Sequence, residues 1–185
     1  MNPSRNLFII GPNGAGKTTI GRRLADHYGL SFVDLDREVE KHCGVDVNTV
    51  FEIEGEAGFR QRESALLDAL SQRSHVLLAT GAGAVLDEAN RQWLHQRGFV
   101  VWLQTSIGQQ LERLERDQRR PLLAVPDRRA RLQAMAAVRE PIYRGLADLA
   151  IPGHHGGINA ASERCIALVD RHWQRTVTHS PSHQA

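Results

Sequence analysis

Gly11-Pro12-Asn13-Gly14-Ala15-Gly16-Lys17-Thr18 decides how the rest of the chain is read. The stretch matches G-x-x-x-x-G-K-[ST] at every fixed position, and its flanks supply the context that motif needs. Upstream, Asn6-Leu7-Phe8-Ile9-Ile10 is a short continuous apolar run that reads as a buried strand. Downstream, Ile20, Leu24 and Tyr28 recur at helical spacing until Gly29 stops them. Glycines let the backbone curl so that successive N–H groups point inward at phosphate oxygens, and the helix N-terminus adds its positive end. Gly14, Ala15, Gly16, Lys17, Thr18 and Thr19 are therefore candidate nucleotide contacts. The Lys17 ammonium would act as a point charge on the terminal phosphates, and the Thr18 hydroxyl is a candidate Mg²⁺ ligand.

Outward from this loop, short apolar runs at 31–33, 75–79, 99–103 and 149–151 read as further strands. Helical spacing falls between them, near 37–43, 56–72, 87–96, 106–117 and 128–139, with a last helix carrying Cys165, Ile166, Val169 and Trp173. Strands alternating with helices predict an α/β fold with a parallel sheet covered on both faces. Ligands in such folds sit at the carboxyl ends of the strands, which places Gly11–Thr18, Asp34/Asp36 and Gly81–Gly83 on one edge. Asp34 and Asp36 share a side if strand geometry persists through them, and the alternative is that Asp36 merely caps the next helix. Arg60 and Glu63 lie one helical turn apart, and a solvated surface pair is the bland reading of them.

Length and composition narrow the function. The 185 residues fit one domain, expected over 1–173, with a disordered tail over 174–185. Lys+Arg 23 against Asp+Glu 21 leaves +2, too little to propose a nucleic-acid surface. No apolar run approaches the ~18 residues of a membrane span, and the first residues do not read as a signal peptide. Cys43 and Cys165 form no disulfide framework or CxxC unit, so a cytoplasmic location is expected. From Glu112 to Arg131 the chain holds seven arginines against four acids, suited to a small bound polyanion. Lys17 and Lys41 are the only lysines, so the N-K-x-D run of a GTPase does not exist. The strands at 75–79 and 99–103 do not end in Asp-Glu as those of a motor ATPase usually do. A small-molecule kinase remains, with a nucleotide-binding regulator that turns nothing over as the alternative of another class. The nine histidines are scattered, and adjacent His154-His155 is a poor zinc site. Trp173 is expected to seal the last helix against the body.

Taken together, these residues resemble the shikimate kinases. The likeness rests on Gly11–Arg22, Phe32-Val33-Asp34-Leu35-Asp36, Phe51 with Gly55-Glu56-Ala57-Gly58-Phe59-Arg60, and Ala79-Thr80-Gly81-Ala82-Gly83. Arg120-Pro121-Leu122-Leu123 and Arg139-Glu140-Pro141-Ile142-Tyr143 complete it, over roughly residues 5–170. The resemblance implies a three-layer P-loop kinase fold, with five parallel strands and a mobile lid over about 117–127. It also implies phosphorylation of the shikimate 3-hydroxyl by ATP with Mg²⁺. By matching positions, Lys17, Asp36 and Arg120 would be catalytic, with Asp36 on the accepting hydroxyl and Arg120 reaching the nucleotide phosphates from the lid. Arg60 and Arg139 would grip the substrate carboxylate, Ala82 and Gly83 would line the same pocket, and Thr18 and Asp34 would serve Mg²⁺. Partners are then shikimate and ATP alone, on a monomer. Another small acceptor, such as gluconate or a nucleoside, is the alternative substrate. Three positions depart from the family: Asn13 where Met is frequent, Thr18 where Ser is frequent, and Ala82 in place of the middle glycine of a Gly-Gly-Gly turn. In addition, Gly153-His154-His155-Gly156-Gly157 offers no adenine-side arginine.

Overall fold

The computed structural model describes residues 4–115, 121–153 and 157–174. Five short strands, β1 (Leu7–Ile10), β2 (Ser31–Asp34), β3 (Val76–Ala79), β4 (Phe99–Leu103) and β5 (Leu149–Ile151), pair in the order β2-β3-β1-β4-β5. Every pairing is parallel, with Phe8 opposite both Leu78 and Val100 at the centre. The connections carry helices α1 (Lys17–Tyr28), α2 (Leu35–Cys43), α3 (Val47–Ser71), α4 (Glu88–Arg97), α5 (Ile107–Leu114) and α6 (Arg128–Leu146), and α7 (Ile158–His172) closes the chain's described part.

The apolar run of β1 shows why both faces need cover. Alternate side chains leave opposite faces of a strand. Leu7 and Ile9 enter a cluster with Leu24, Ala25, Val169 and Trp173, from α1 and the end of α7. Phe8 and Ile10 enter another with Leu67, Leu70, Leu94 and Tyr143, from α3, α4 and α6. All four are fully buried, so a single polar substitution in β1 would face a core on either side. Trp173 seals α7 as expected, edge-on to Tyr28, stacked near Phe99, with its Nε1 donating to the Ser4 carbonyl at 3.0 Å.

Four boundaries differ from the sequence reading. β2 ends at Asp34 and α2 begins at once, so strand alternation does not relate Asp34 to Asp36. Asp34 rather than Asp36 caps α2, its Oδ1 accepting from the Arg37 N–H at 3.3 Å. α3 begins at Val47, not near 56, because Asp46 caps it by accepting from the Thr49 N–H at 2.8 Å. Gly55, at φ 70 and ψ −177, then breaks it into two pieces. The front piece was missed because Val50 packs with Val39 and Phe59 in a small cluster of its own, away from the sheet. α6 runs past Arg139 through Pro141 to Leu146, since Ala137, whose carbonyl loses its partner to the proline, is exposed.

The expected lid falls partly outside the described residues, as do Arg120, His154, His155 and the tail beyond residue 174. Residues Pro121–Leu123 form a 3-10 turn whose Leu123 is buried against Leu114 and Leu132. Leu123 thus anchors this part of the expected lid to the body.

Candidate functional site

The carboxyl ends of β1, β2 and β3 converge on one edge, where the loop after β1 turns directly into α1. Gly16 occupies the N-cap of α1 in left-handed geometry, φ 88 and ψ 19, and no side chain caps the helix. A residue with a Cβ would be strained there, and a capping side chain would compete for the N–H groups that an anion needs. The Lys17 ammonium folds back over the loop and donates to the carbonyls of Gly11 at 2.8 Å and Pro12 at 3.0 Å. Arg113 reaches the same loop from α5, donating to the Gly14 carbonyl at 2.9 Å. A trough runs from this loop past Thr18, Thr19 and Asp34 to Asp36. The Thr18 hydroxyl donates to Asp34 Oδ2 at 2.6 Å, so a hydroxyl and a carboxylate stand side by side at its floor. Hard oxygen donors of this kind fit a Mg²⁺ ion.

Beside the trough lies a second cleft, lined by Asp36, Phe59, Arg60, Glu63, Gly81, Ala82, Gly83 and Arg139. The structure thus brings α2, α3, the turn after β3 and α6 to one place. Asp36 lines both the trough and the cleft. Arg60 Nη1 donates to Glu63 Oε2 at 2.6 Å, and its Nη2 to Glu56 Oε1 at 3.2 Å. This is no solvated surface pair, because Glu63 is 1% exposed. Burial pushes the Glu63 carboxyl up to about 7, with Arg60 opposing and nearby Asp36 adding to the rise. Burial disfavours the charge on Arg60, yet the carboxylates of Glu63 and Glu56 outweigh it and raise its pKa. Arg139 is buried on α6 and its pKa is lowered, by desolvation first and by Arg60 as well. A carboxylate entering between two such cations would relieve both.

The turn after β3 is shaped by these charges. A Cβ on Gly81 would collide with Glu63 Oε1, and one on Gly83 with the Arg60 guanidinium. These glycines serve close approach rather than positive φ, which neither of them adopts. Ala82, between them, also has ordinary backbone geometry. Its carbonyl accepts from the Tyr143 hydroxyl at 2.5 Å, and burial keeps that hydroxyl protonated by pushing its pKa up. Sequence reasoning assigned no role to Glu63, Arg113 or Tyr143. Spacing did pair Glu63 with Arg60, though only as a surface pair, and could have flagged Tyr143, one turn beyond Arg139.

Residues 13–169 match the family model of shikimate kinase. The chain belongs to the shikimate kinase family. It is 46% identical over 178 residues to a protein named shikimate kinase from Xanthomonas campestris pv. campestris (strain 8004), covering 96% of this chain and 99% of that one. A shikimate kinase of Actinobacillus pleuropneumoniae serotype 5b (strain L20) is 42% identical over 170 residues, covering 92% of this chain and 98% of its own. The fold matches the solved shikimate kinase from Acinetobacter baumannii in complex with shikimate, with TM-score 0.88 at 40% identity, over 91% of this chain and 94% of that one. A gluconokinase from Sinorhizobium meliloti 1021 shares the fold alone, with TM-score 0.59 at 15% identity, over 92% of this chain and 94% of that one. Among the described residues no helix is long and apolar enough to cross a membrane, and no group of His, Cys, Asp or Glu could hold a metal ion by itself.

Proposed function

We propose that the chain transfers the terminal phosphoryl group of ATP to the 3-hydroxyl of shikimate, giving shikimate 3-phosphate and ADP. One observation carries this reading: Asp36 lines both the phosphate trough and the cleft that holds Arg60 and Arg139. A carboxylate at that junction can accept the proton of an acceptor hydroxyl as its oxygen attacks the γ-phosphorus, while the β–γ bridging oxygen departs with ADP. Arg60 and Arg139 hold the acceptor's carboxylate, a bidentate task suited to guanidinium forks. Ala82 and Gly83 bound the acceptor ring, with Tyr143 fixing the turn that carries them. Gly14 to Thr19 cradle the phosphates, and Lys17 exchanges its loop carbonyls for phosphate oxygens. Arg120 would add a second cation at the nucleotide phosphates.

Thr18 and Asp34 would hold Mg²⁺, directly or through water. Bound there, the ion neutralises charge on the terminal phosphates. Cys43 and Cys165 are both free, which suits a monomer working in a reducing cytoplasm.

A coupled assay of ADP release, run with shikimate, gluconate, a nucleoside or no acceptor, tests the proposal. ADP should form at an appreciable rate only with shikimate. Turnover with gluconate or a nucleoside and none with shikimate would overturn it, as would ATP binding without any product.

A further inference from the structure

Glu63 is buried, faces the acceptor cleft and has no part in the phosphoryl transfer described above. Only one of its oxygens is engaged: Oε2 accepts from Arg60, while Oε1 takes no hydrogen bond from any described residue. That free oxygen lies against the backbone of Gly81, where a Cβ would strike it, and looks toward Asp36. Arg60 is half-committed in the same way, since its Nε is buried without a partner among the described residues while its two terminal nitrogens hold Glu63 and Glu56.

We propose that Glu63 is a positioning residue that couples acceptor binding to uptake of a proton: it holds the Arg60 fork in the empty cleft and becomes protonated when the acceptor's carboxylate takes over that fork. This rests on the reading of the cleft as the seat of a carboxylate acceptor. The charges facing Glu63 come from three elements. On its own helix α3 stand Arg60 and Glu56, on α2 stands Asp36, and on α6 stand Arg139 and the neutral Tyr143 hydroxyl. The turn after β3 contributes only the Gly81 backbone. In the empty cleft, two arginines face three carboxyl groups. An arriving carboxylate adds a fourth negative charge within reach of the same two cations and excludes water from a wall already dry.

Both effects disfavour the charged form of a carboxyl. Glu63 is the group placed to respond, because burial already holds it near neutrality, about 7. Its unpartnered Oε1 is the atom that receives the proton, and the protonated Glu63 can still accept from Arg60 through Oε2. The proton comes from solvent, so no other group need change state. The acceptor would then bind more weakly as pH rises, because deprotonating Glu63 opposes its carboxylate.

The test is calorimetry of shikimate binding to the full chain, in buffers of equal pH and different ionisation enthalpy. The wild type should take up about half a proton per shikimate near pH 7, with affinity falling up to ~10-fold per pH unit above that. Glu63→Gln, which keeps an oxygen for Arg60 but cannot titrate, should bind shikimate with no uptake and a flat pH profile. Glu56→Gln, at the exposed partner of Arg60, should leave the uptake in place. Titration of carboxyl resonances in wild-type protein labelled with ¹³C-glutamate provides a second readout should Glu63→Gln not fold. One resonance should titrate near 7 and move upward with shikimate. Binding by the wild type without uptake, uptake that persists in Glu63→Gln, or a resonance set that titrates only in the ordinary carboxylate range would each overturn the coupling alone. Failure of the wild type to bind shikimate at any pH would overturn the acceptor assignment with it.

Discussion

At the N-terminal end of the strands, Asn6 Nδ2 donates to the carbonyls of Arg73 at 2.6 Å, Arg97 at 3.3 Å and Ser71 at 3.4 Å, and its Oδ1 accepts from the Val76 N–H at 3.2 Å. At the C-terminal end, Glu63 Oε1 and Arg60 Nε are buried too, and neither has a hydrogen-bond partner among the described residues. The first arrangement ties the start of β1 to the ends of α3 and α4, with Ser4 Oγ adding a bond to the Arg97 carbonyl at 3.1 Å. Completed networks of this kind fix a structure. The second leaves polar capacity open where a ligand can use it, at a cost in stability. The contrast separates a stabilising end of the sheet from a working one. Substitutions at the two ends should therefore fail in different ways.

The largest effect is expected at Lys17. Lys17→Met removes a charge from the transferring phosphoryl group and nothing from the core, so turnover should fall ~10²–10³-fold with the fold intact. Steady-state kinetics beside a thermal melt would check both halves, and a variant keeping more than half of wild-type kcat would contradict the assignment of the loop.

Arg139→Ala should raise KM for shikimate about 10–100-fold and leave KM for ATP nearly unchanged, while Arg139→Lys should rescue only in part because a point charge cannot replace a fork. An unchanged shikimate KM would remove the carboxylate clamp from the working end.

Asn6→Ala tests the other end. It should lower stability by about 2–4 kcal/mol, read as a drop in Tm, with kcat/KM of the surviving folded enzyme unaltered. Lost activity without lost stability would erase the distinction between the ends. The smallest effect is expected at Ala82, whose ordinary φ already suits either residue. Ala82→Gly should change kcat/KM for shikimate less than ~10-fold.

The two ends also differed in how far they could be read from sequence. The phosphate loop is written in eight consecutive residues because its chemistry is backbone chemistry, and backbone geometry leaves a local glycine pattern. The β-strands were legible for a similar reason, as runs such as Leu7–Ile10 are buried on both faces and carry no polar residue. The acceptor cleft is assembled from α2, α3, the turn after β3 and α6. Asp36 stood out by its place at a strand end and Arg60 by its spacing to Glu63, but their roles toward the acceptor, and Arg139 altogether, came through family likeness rather than spacing. Glu63 looked like half of a surface pair, since nothing local announces that α3 will press it against Gly81. The front of α3 escaped because its apolar residues serve a small cluster off the sheet. The extra turns of α6 escaped because a proline is tolerated where the orphaned carbonyl belongs to an exposed residue.

Asp36 is the ionisable residue that lines both clefts, and Asp36→Asn is the most direct test of the account. The amide keeps the size and hydrogen-bonding reach of the side chain but cannot take the hydroxyl proton. Measured with saturating ATP and a full shikimate titration, kcat should fall ~10²–10³-fold while shikimate KM stays within a few-fold of wild type. A variant with kcat within twofold of wild type would contradict the claim that phosphoryl transfer takes place at this junction.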